Sequence, residues 1–355
     1  MRLRHHSPEA LRRIVIAVVM AAGWPEADAR ETARHLVIAN LSGHDSHGVG
    51  MLPLYMAAAR DGLLRPDAAV TARVDAAPFL VIEARAALGQ PTARRAVERA
   101  AEMARSHGVA VLNLLGAHHV GRIGDYAEQT AAQGLVGMFW VNVAGRPPIV
   151  ASHGAAQARW GTNPHAIGVP GPDGRDLILD FATSRMAHGK ARVAFNKGER
   201  TADGYLIDAE GEPTNDPAVV FPPGPLGALL PFGEHKGAGL AMMVEILSAG
   251  LGGGPLIQDA PQASWILNSL FALLIDPARL DPDPEARLAR VAAIAEACRS
   301  AAPRRGFGPV LAPGDREREM RAERQVSGIP LDDETWRQIV EAAAHLGVDA
   351  EALAR

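Results

Sequence analysis

The segment Val109-Ala110-Val111-Leu112-Asn113-Leu114-Leu115-Gly116-Ala117-His118-His119-Val120-Gly121-Arg122 joins an apolar run to a polar cluster flanked by glycine. Residues 109–115 read as a buried strand, so two imidazoles and a guanidinium follow its end. On the upstream side, the alanine-rich residues 90–106 carry helical periodicity. On the downstream side, 126–133 is helical and 136–143 is an unbroken apolar run of the kind buried strands show. Strands are further expected at 79–83, 166–169, 177–181 and 265–275, with helices at 237–251 and 284–300. Helices alternating with strands argue for an α/β (α+β) architecture.

Outside this middle region the chain changes character. Residues 7–22, 25–39 and 53–61 read as helices, with Ser7-Pro8-Glu9 an N-cap, a first-turn proline and an acidic first turn. The segments 315–325 and 331–346 are helical as well. Residues 197–226, rich in Gly, Pro, Asp and Asn, read as a long loop.

Composition narrows the function. With 355 residues, 36 basic against 40 acidic and a net charge of −4, the chain lacks the basic excess of a nucleic-acid binder. The length suits two domains. The single Cys298 rules out an intramolecular disulfide and cysteine-based metal clusters, and it fits a reducing, cytoplasmic setting. Neither 14–23 nor 237–256 reads as a membrane span, since the first is a capped helix and the second contains Glu245 and several glycines. Thirty-three of the 36 cations are Arg, which makes Lys190, Lys197 and Lys236 candidates for positions where a guanidinium will not serve.

Thirty-six glycines form neither a Gly-x-Gly-x-x-Gly fingerprint nor a Walker A loop, and no His-Glu-x-x-His or Gly-x-Ser-x-Gly occurs. What the chain does contain is two histidine strings. Gly43-His44-Asp45-Ser46-His47-Gly48 lies between helices, and His118-His119-Val120-Gly121-Arg122 follows a strand. Imidazole titrates near neutrality, so such strings suit proton transfer, metal ligation or both. Further polar strings stand at expected strand ends, where α/β proteins hold ligands: Gly161-Thr162-Asn163-Pro164, Asp180-Phe181-Ala182-Thr183-Ser184, His188-Gly189-Lys190, Glu234-His235-Lys236-Gly237 and Pro313-Gly314-Asp315. Asn268, alone in an apolar run, reads equally as a buried amide bonded to neighbouring backbone.

Taken in order, these strings resemble the malate/L-lactate dehydrogenase family, whose members lack a Rossmann fold. The carriers are Gly43 to Val49 with Pro53 and Tyr55, His119-x-Gly121-x-x-Gly124-x-Tyr126, Gly161 to Pro164, Leu179 to Ser184, Pro231 to Gly239, and Pro313-Gly314 through Gly328-Ile329-Pro330. The likeness spans nearly the whole chain and is strongest to the bacterial hydroxycarboxylate dehydrogenase branch, which includes hydroxyphenylpyruvate reductases. It implies a largely antiparallel cofactor-binding domain, residues 76–299, and a helical domain made from 1–75 with 300–355. It also implies a homodimer and hydride exchange between NAD or NADP and a 2-oxo or 2-hydroxy acid.

By the same resemblance His47 or His119 is the acid/base, and Ser46, Tyr55 and His118 meet substrate. Most relatives carry Arg where this chain has Met51, and that Arg is thought to hold the substrate carboxylate. Arg122, three residues beyond His119, is expected to replace it. Cofactor contacts are expected from Gly121, Asn142, Asp180, Phe181, Ala182, Thr183, His188, Lys190, His235, Lys236, Gly237, Asn268, Pro313, Gly314 and Asp315. A carboxylate beside a ribose disfavours a 2′-phosphate, so Asp180 or Asp315 would favour NAD. Three rivals remain: a cyclic imino acid reductase of the same family, a metal-dependent hydrolase or lyase using His44, His47, His118 and His119 with Asp45, and a non-enzymatic ligand-binding protein.

Overall fold

The computed structural model describes residues 3–259 and 265–355. The apolar run that opens at Val109 forms a long strand, Val109–His118, so His118 ends the strand instead of following it. Beside it lies Leu267–Ile275, then Val136–Val141, His165–Val169 and Leu177–Phe181 on one side, and Phe79–Glu83 and Thr71–Ala76 on the other. The only parallel neighbours in this seven-stranded sheet are Phe79–Glu83 and Val109–His118. They are joined by the helix Gly89–His107. That helix lays Ala93, Ala96, Val97, Ala100, Ala101 and Ala104 on the sheet, and the small side chains let it approach closely. The fold is therefore mixed α/β with a largely antiparallel sheet.

The first-layer helices Pro8–Ala21, Glu26–Leu41 and Leu52–Arg60 share a second core with Asp333–Ala344, through Leu11, Ile14, Val18, Leu36, Tyr55, Trp336 and Ile339. Ser7 accepts the first-turn N–H of Ala10 at 3.1 Å, as its position before Pro8 predicts. Two distant segments close this layer, since Leu3–His6 pairs antiparallel with Ile329–Asp332.

Three expectations change. Residues 331–346 begin as that strand and become helical only at Asp333. Residues 197–226 are not one structureless loop: Leu206–Ile207 and Pro213–Thr214 join Ala228–Leu229, Val150–Ala151 and Ala158–Trp160 in a small second sheet over Leu206, Val220, Phe221 and Leu229. Two-residue strands are too short for periodicity to show. The expected helix 237–251 is an α-helix, His235–Glu245, followed by a π turn over Ile246–Gly250. Among the described residues, no helix is long and apolar enough to cross a membrane.

Candidate active site

The histidine string of the first layer is tied down by its neighbours. His44 meets Glu317 at 3.1 Å, and Asp45 accepts from Asn40 and Arg324, each at 2.7 Å. Asn40 also accepts the Val49 N–H at 2.8 Å. His44 and Asp45 therefore anchor the loop to the helices Glu26–Leu41 and Asp315–Ser327 and leave Ser46 and His47 at its tip.

The second string brings its imidazoles to the same place. The rings of His47 and His119 stack with centroids 5.5 Å apart. Tyr55 Oη lies 2.7 Å from His119 Nδ1, and Gln90 Nε2 donates to the same Tyr55 oxygen at 2.6 Å. The Tyr55 hydroxyl thus accepts from Gln90 and donates to His119 Nδ1, which assigns the remaining ring proton to Nε2. Ser46 Oγ lies 3.1 Å from His47 Nδ1 with no second partner among the described residues, so it can rotate to donate or accept. Two glycines permit the approach. Gly121 has φ +80°, and a Cβ there would stand 2.4 Å from His35; a Cβ at Gly189 would stand 2.5 Å from Ser46. The helix His188–Lys197 therefore starts against the loop that carries Ser46 and His47.

Burial dominates the electrostatics. It depresses His47 to about 3, helped by His44, His35 and Arg122, and holds His119 well below the usual histidine value, helped by His47, His118, His35 and Arg146. His188 is likewise pushed down to about 3 by burial, Arg146 and Arg192, and His118 to about 4 by burial alone. Tyr55 is raised by burial. The half-buried His47 touches solvent, whereas His119 is buried.

Several expected residues serve the scaffold. His118 is fully buried, edge-on to Tyr55 at 5.1 Å, so it backs the site instead of lining it. Arg122, also buried, has Nη1 2.9 Å from Glu128 and Nε 3.2 Å from Asp180. Two carboxylates already compensate its charge, while its Nη2 has no hydrogen-bond partner among the described residues. The amide of Asn142 bonds Glu245, Pro255 and the Ser269 N–H, and that of Asn268 bonds the Val120 N–H and the Asn142 carbonyl. Both hold loops together.

The remaining expected cofactor residues fall on the edge strand Leu177–Phe181, the turn after it, and the first turns of the helices His188–Lys197, His235–Glu245 and Asp315–Ser327 with the residues before the last. Pro313 accepts the Ile178 N–H at 3.3 Å, and Gly314, at φ +89°, opens the helix Asp315–Ser327. Phe181 packs on Phe232 at 5.5 Å, and half-buried Ala182 leads into Thr183, which is held by Thr162. Gly237 bonds the Phe232 carbonyl, His235 faces His153 and His188 lies on Phe221. Lys190 and Lys236 are exposed and have no partner among the described residues, while the Lys197 side chain lies outside them. Asp180 is paired with Arg122, and Asp315 with Arg299 at 2.8 Å and Arg318 at 2.5 Å, so neither presents an unpaired carboxylate. The argument for NAD drawn from these two residues therefore loses its basis. Gln90 and Arg146 were not expected from the sequence, and neither stands in a recognisable motif.

The metal reading lacks a ligand set. Among the described residues, one group could offer three ligands, Glu31 with His35 and Asp125, and it includes none of the four histidines of that reading. Arg34 already bonds both of its carboxylates.

The chain is 41% identical over 350 residues to hydroxycarboxylate dehydrogenase B of Escherichia coli, covering 97% of this chain and 95% of that one. It is 36% identical over 339 residues to the L-lactate dehydrogenase of Cupriavidus necator, at 95% and 96% coverage. The solved structure of sulfolactate dehydrogenase from Methanocaldococcus jannaschii superposes with a TM-score of 0.87 at 31% identity, covering 98% of this chain and 99% of that one. The sequence pattern of malate/L-lactate dehydrogenases matches residues 6–340, and with the non-Rossmann sheet and the paired histidines it makes this chain an oxidoreductase of the malate/L-lactate dehydrogenase family.

Proposed function

We propose that the protein interconverts a 2-oxo acid and the corresponding 2-hydroxy acid with NAD or NADP, using His47 and His119 at the substrate oxygen. The stacked pair, each ring held at Nδ1 by a different hydroxyl, is the observation that carries this reading. A bound nicotinamide dinucleotide supplies or receives the hydride. The donor set suits such a polyanion, because Lys190 and Lys236 have no ion pair among the described residues and stand in the first turns of the helices His188–Lys197 and His235–Glu245.

The two histidines differ in what their hydroxyl partners allow. Tyr55, fixed by Gln90, keeps Nδ1 of His119 as an acceptor, so His119 offers Nε2–H as a steady hydrogen bond to the carbonyl or hydroxyl oxygen, as a neutral imidazole can. Ser46 is free to donate or accept, so His47 can exist with or without the extra proton. Its partial exposure lets that proton exchange with solvent. His47 is therefore the proton carrier and His119 the polarising donor. Packing of a second copy on the exposed face of Met242, Met243 and Leu251 is our reading for the homodimer.

The test is oxidation of NADH and of NADPH against pyruvate, oxaloacetate, 2-oxoglutarate, phenylpyruvate and hydroxyphenylpyruvate, with cyclic imino acids alongside. Turnover of an oxo acid that a strong chelator does not affect is expected. Turnover of imino acids alone would move the protein to the reductase reading. Consumption of neither dinucleotide with any of these compounds would overturn both.

A further inference from the structure

Arg146 lies in Gly145-Arg146-Pro147-Pro148, just past the end of the main sheet. Ala144 exchanges hydrogen bonds of 2.8 and 3.0 Å with Leu267, and Leu267 is in register with His118, so the three stand in one row across the sheet end. The turn is stiff. Pro147 restricts Arg146 to extended backbone, Gly145 sits at φ +77°, and Asn142 ties the approach to Ser269. On the other side the charge of Arg146 bears on His119 and on His188, the first residue of the helix that packs against Ser46. The charge of Arg146 thus reaches both His119 and the start of that helix.

Its charge is uncompensated. Among the described residues Arg146 is half-buried with no ion pair and no hydrogen-bond partner, and the one charge bearing on it is another cation, Arg192. Burial and Arg192 depress its pKa below the usual arginine value. Arg122 is the reverse case, enclosed and facing Glu128 and Asp180. A guanidinium partly withdrawn from water without a counter-ion is unfavourable by itself, and it becomes favourable when a planar oxyanion occupies its fork.

We propose that Arg146 is the residue that binds the substrate carboxylate, replacing the arginine that Met51 displaces and taking the part expected of Arg122. This rests on the 2-oxo acid reading. It sets the ligand class as a carboxylate whose adjacent carbonyl reaches His47 and His119, and it makes Arg146 a specificity-determining residue.

Oxalate, an unreactive planar mimic of a 2-oxo acid, separates the possibilities. Its affinity for the NADH-saturated protein is measured by calorimetry alongside the oxo-acid KM and the NADH Kd, for wild type, Arg146→Gln and Arg146→Lys. Arg146→Gln should raise the oxalate Kd and the oxo-acid KM about 30-fold or more, as loss of one partner of a desolvated charge pair does, while the NADH Kd is unchanged. Arg146→Lys keeps the charge without the fork and should recover only part; it also serves if the Gln variant misfolds. Oxalate binding that survives both substitutions overturns the proposal, as does a raised NADH Kd with unchanged oxalate affinity, which would assign Arg146 to the dinucleotide. Absence of oxalate binding in wild type overturns it too. If wild type turns over no oxo acid yet binds oxalate through Arg146, the functional reading fails and the carboxylate site stands.

Discussion

His47 is held near 3 by burial and by His44, His35 and Arg122, far below neutrality. A histidine whose pKa is depressed in the folded protein carries its extra proton only below that value, so from pH 5 to 8 the free enzyme holds His47 neutral. Reduction consumes one proton, which must then come from solution. The value of kcat/KM for oxo-acid reduction should fall about tenfold per pH unit across this window, and that for hydroxy-acid oxidation should stay flat. A reduction profile independent of pH from 5 to 8 would show instead that the proton is already in place. Much of this constellation could be read from the chain. His47, His119, Ser46 and Tyr55 stand in strings whose order resembles one family. Gln90 and Arg146 were invisible because a lone amide at a helix start and one Arg among 33 carry no local pattern. Their roles arise from what faces them, or fails to face them, across long sequence separations.

At the scale of elements, Glu245 shows how the site loops are held. This buried carboxylate closes the helix His235–Glu245 and accepts from Asn142 at 3.1 Å, Asn163 at 3.0 Å and the Ile257 N–H at 2.8 Å. It thereby joins the turn leading to Arg146, the Gly161–Pro164 string and the chain after the π turn. Glu245→Ala would leave these buried donors unpaired and should cost about 3 kcal/mol or more, read from the urea midpoint. Glu245→Gln keeps the shape but turns an acceptor into a donor, so an intermediate loss is expected. Wild-type stability in the Ala variant would refute this bracing role. The sequence drew attention to Glu245 only as a charge that spoils a membrane span. Long elements such as Gly89–His107 and Val109–His118 were legible because burial on one or both faces imposes a period. The small sheet, the helix His188–Lys197 and the strand Ile329–Asp332 were not, since their pairing is decided by distant partners.

For the whole molecule, the shared sign of the histidine shifts matters more than any single value. His118, His119 and His188 are all depressed by burial. Their unfolded forms take up protons from about pH 6.5 downward while the folded forms do not. Stability is therefore fully present above about 6.5 and is lost as pH falls toward the folded values. Each fully buried histidine such as His118 contributes a slope of about 1.4 kcal/mol per pH unit. Denaturant midpoints should decline steadily from pH 6.5 to 4.5, and His118→Gln should flatten the decline. A midpoint constant over that range would contradict the burial of these rings. The ribbon between Leu3–His6 and Ile329–Asp332 has a different consequence, one for biosynthesis. At about 5–20 residues per second, residues 3–60 leave the ribosome tens of seconds before 329–344 arrive to complete their core. Because Ser46, His47 and Tyr55 belong to that waiting segment, a nascent chain can complete its sheet, once Leu267–Ile275 has emerged, before the histidine pair is held in place. Premature termination anywhere before the second strand of the ribbon then yields an inert product that exposes apolar helix faces to quality control.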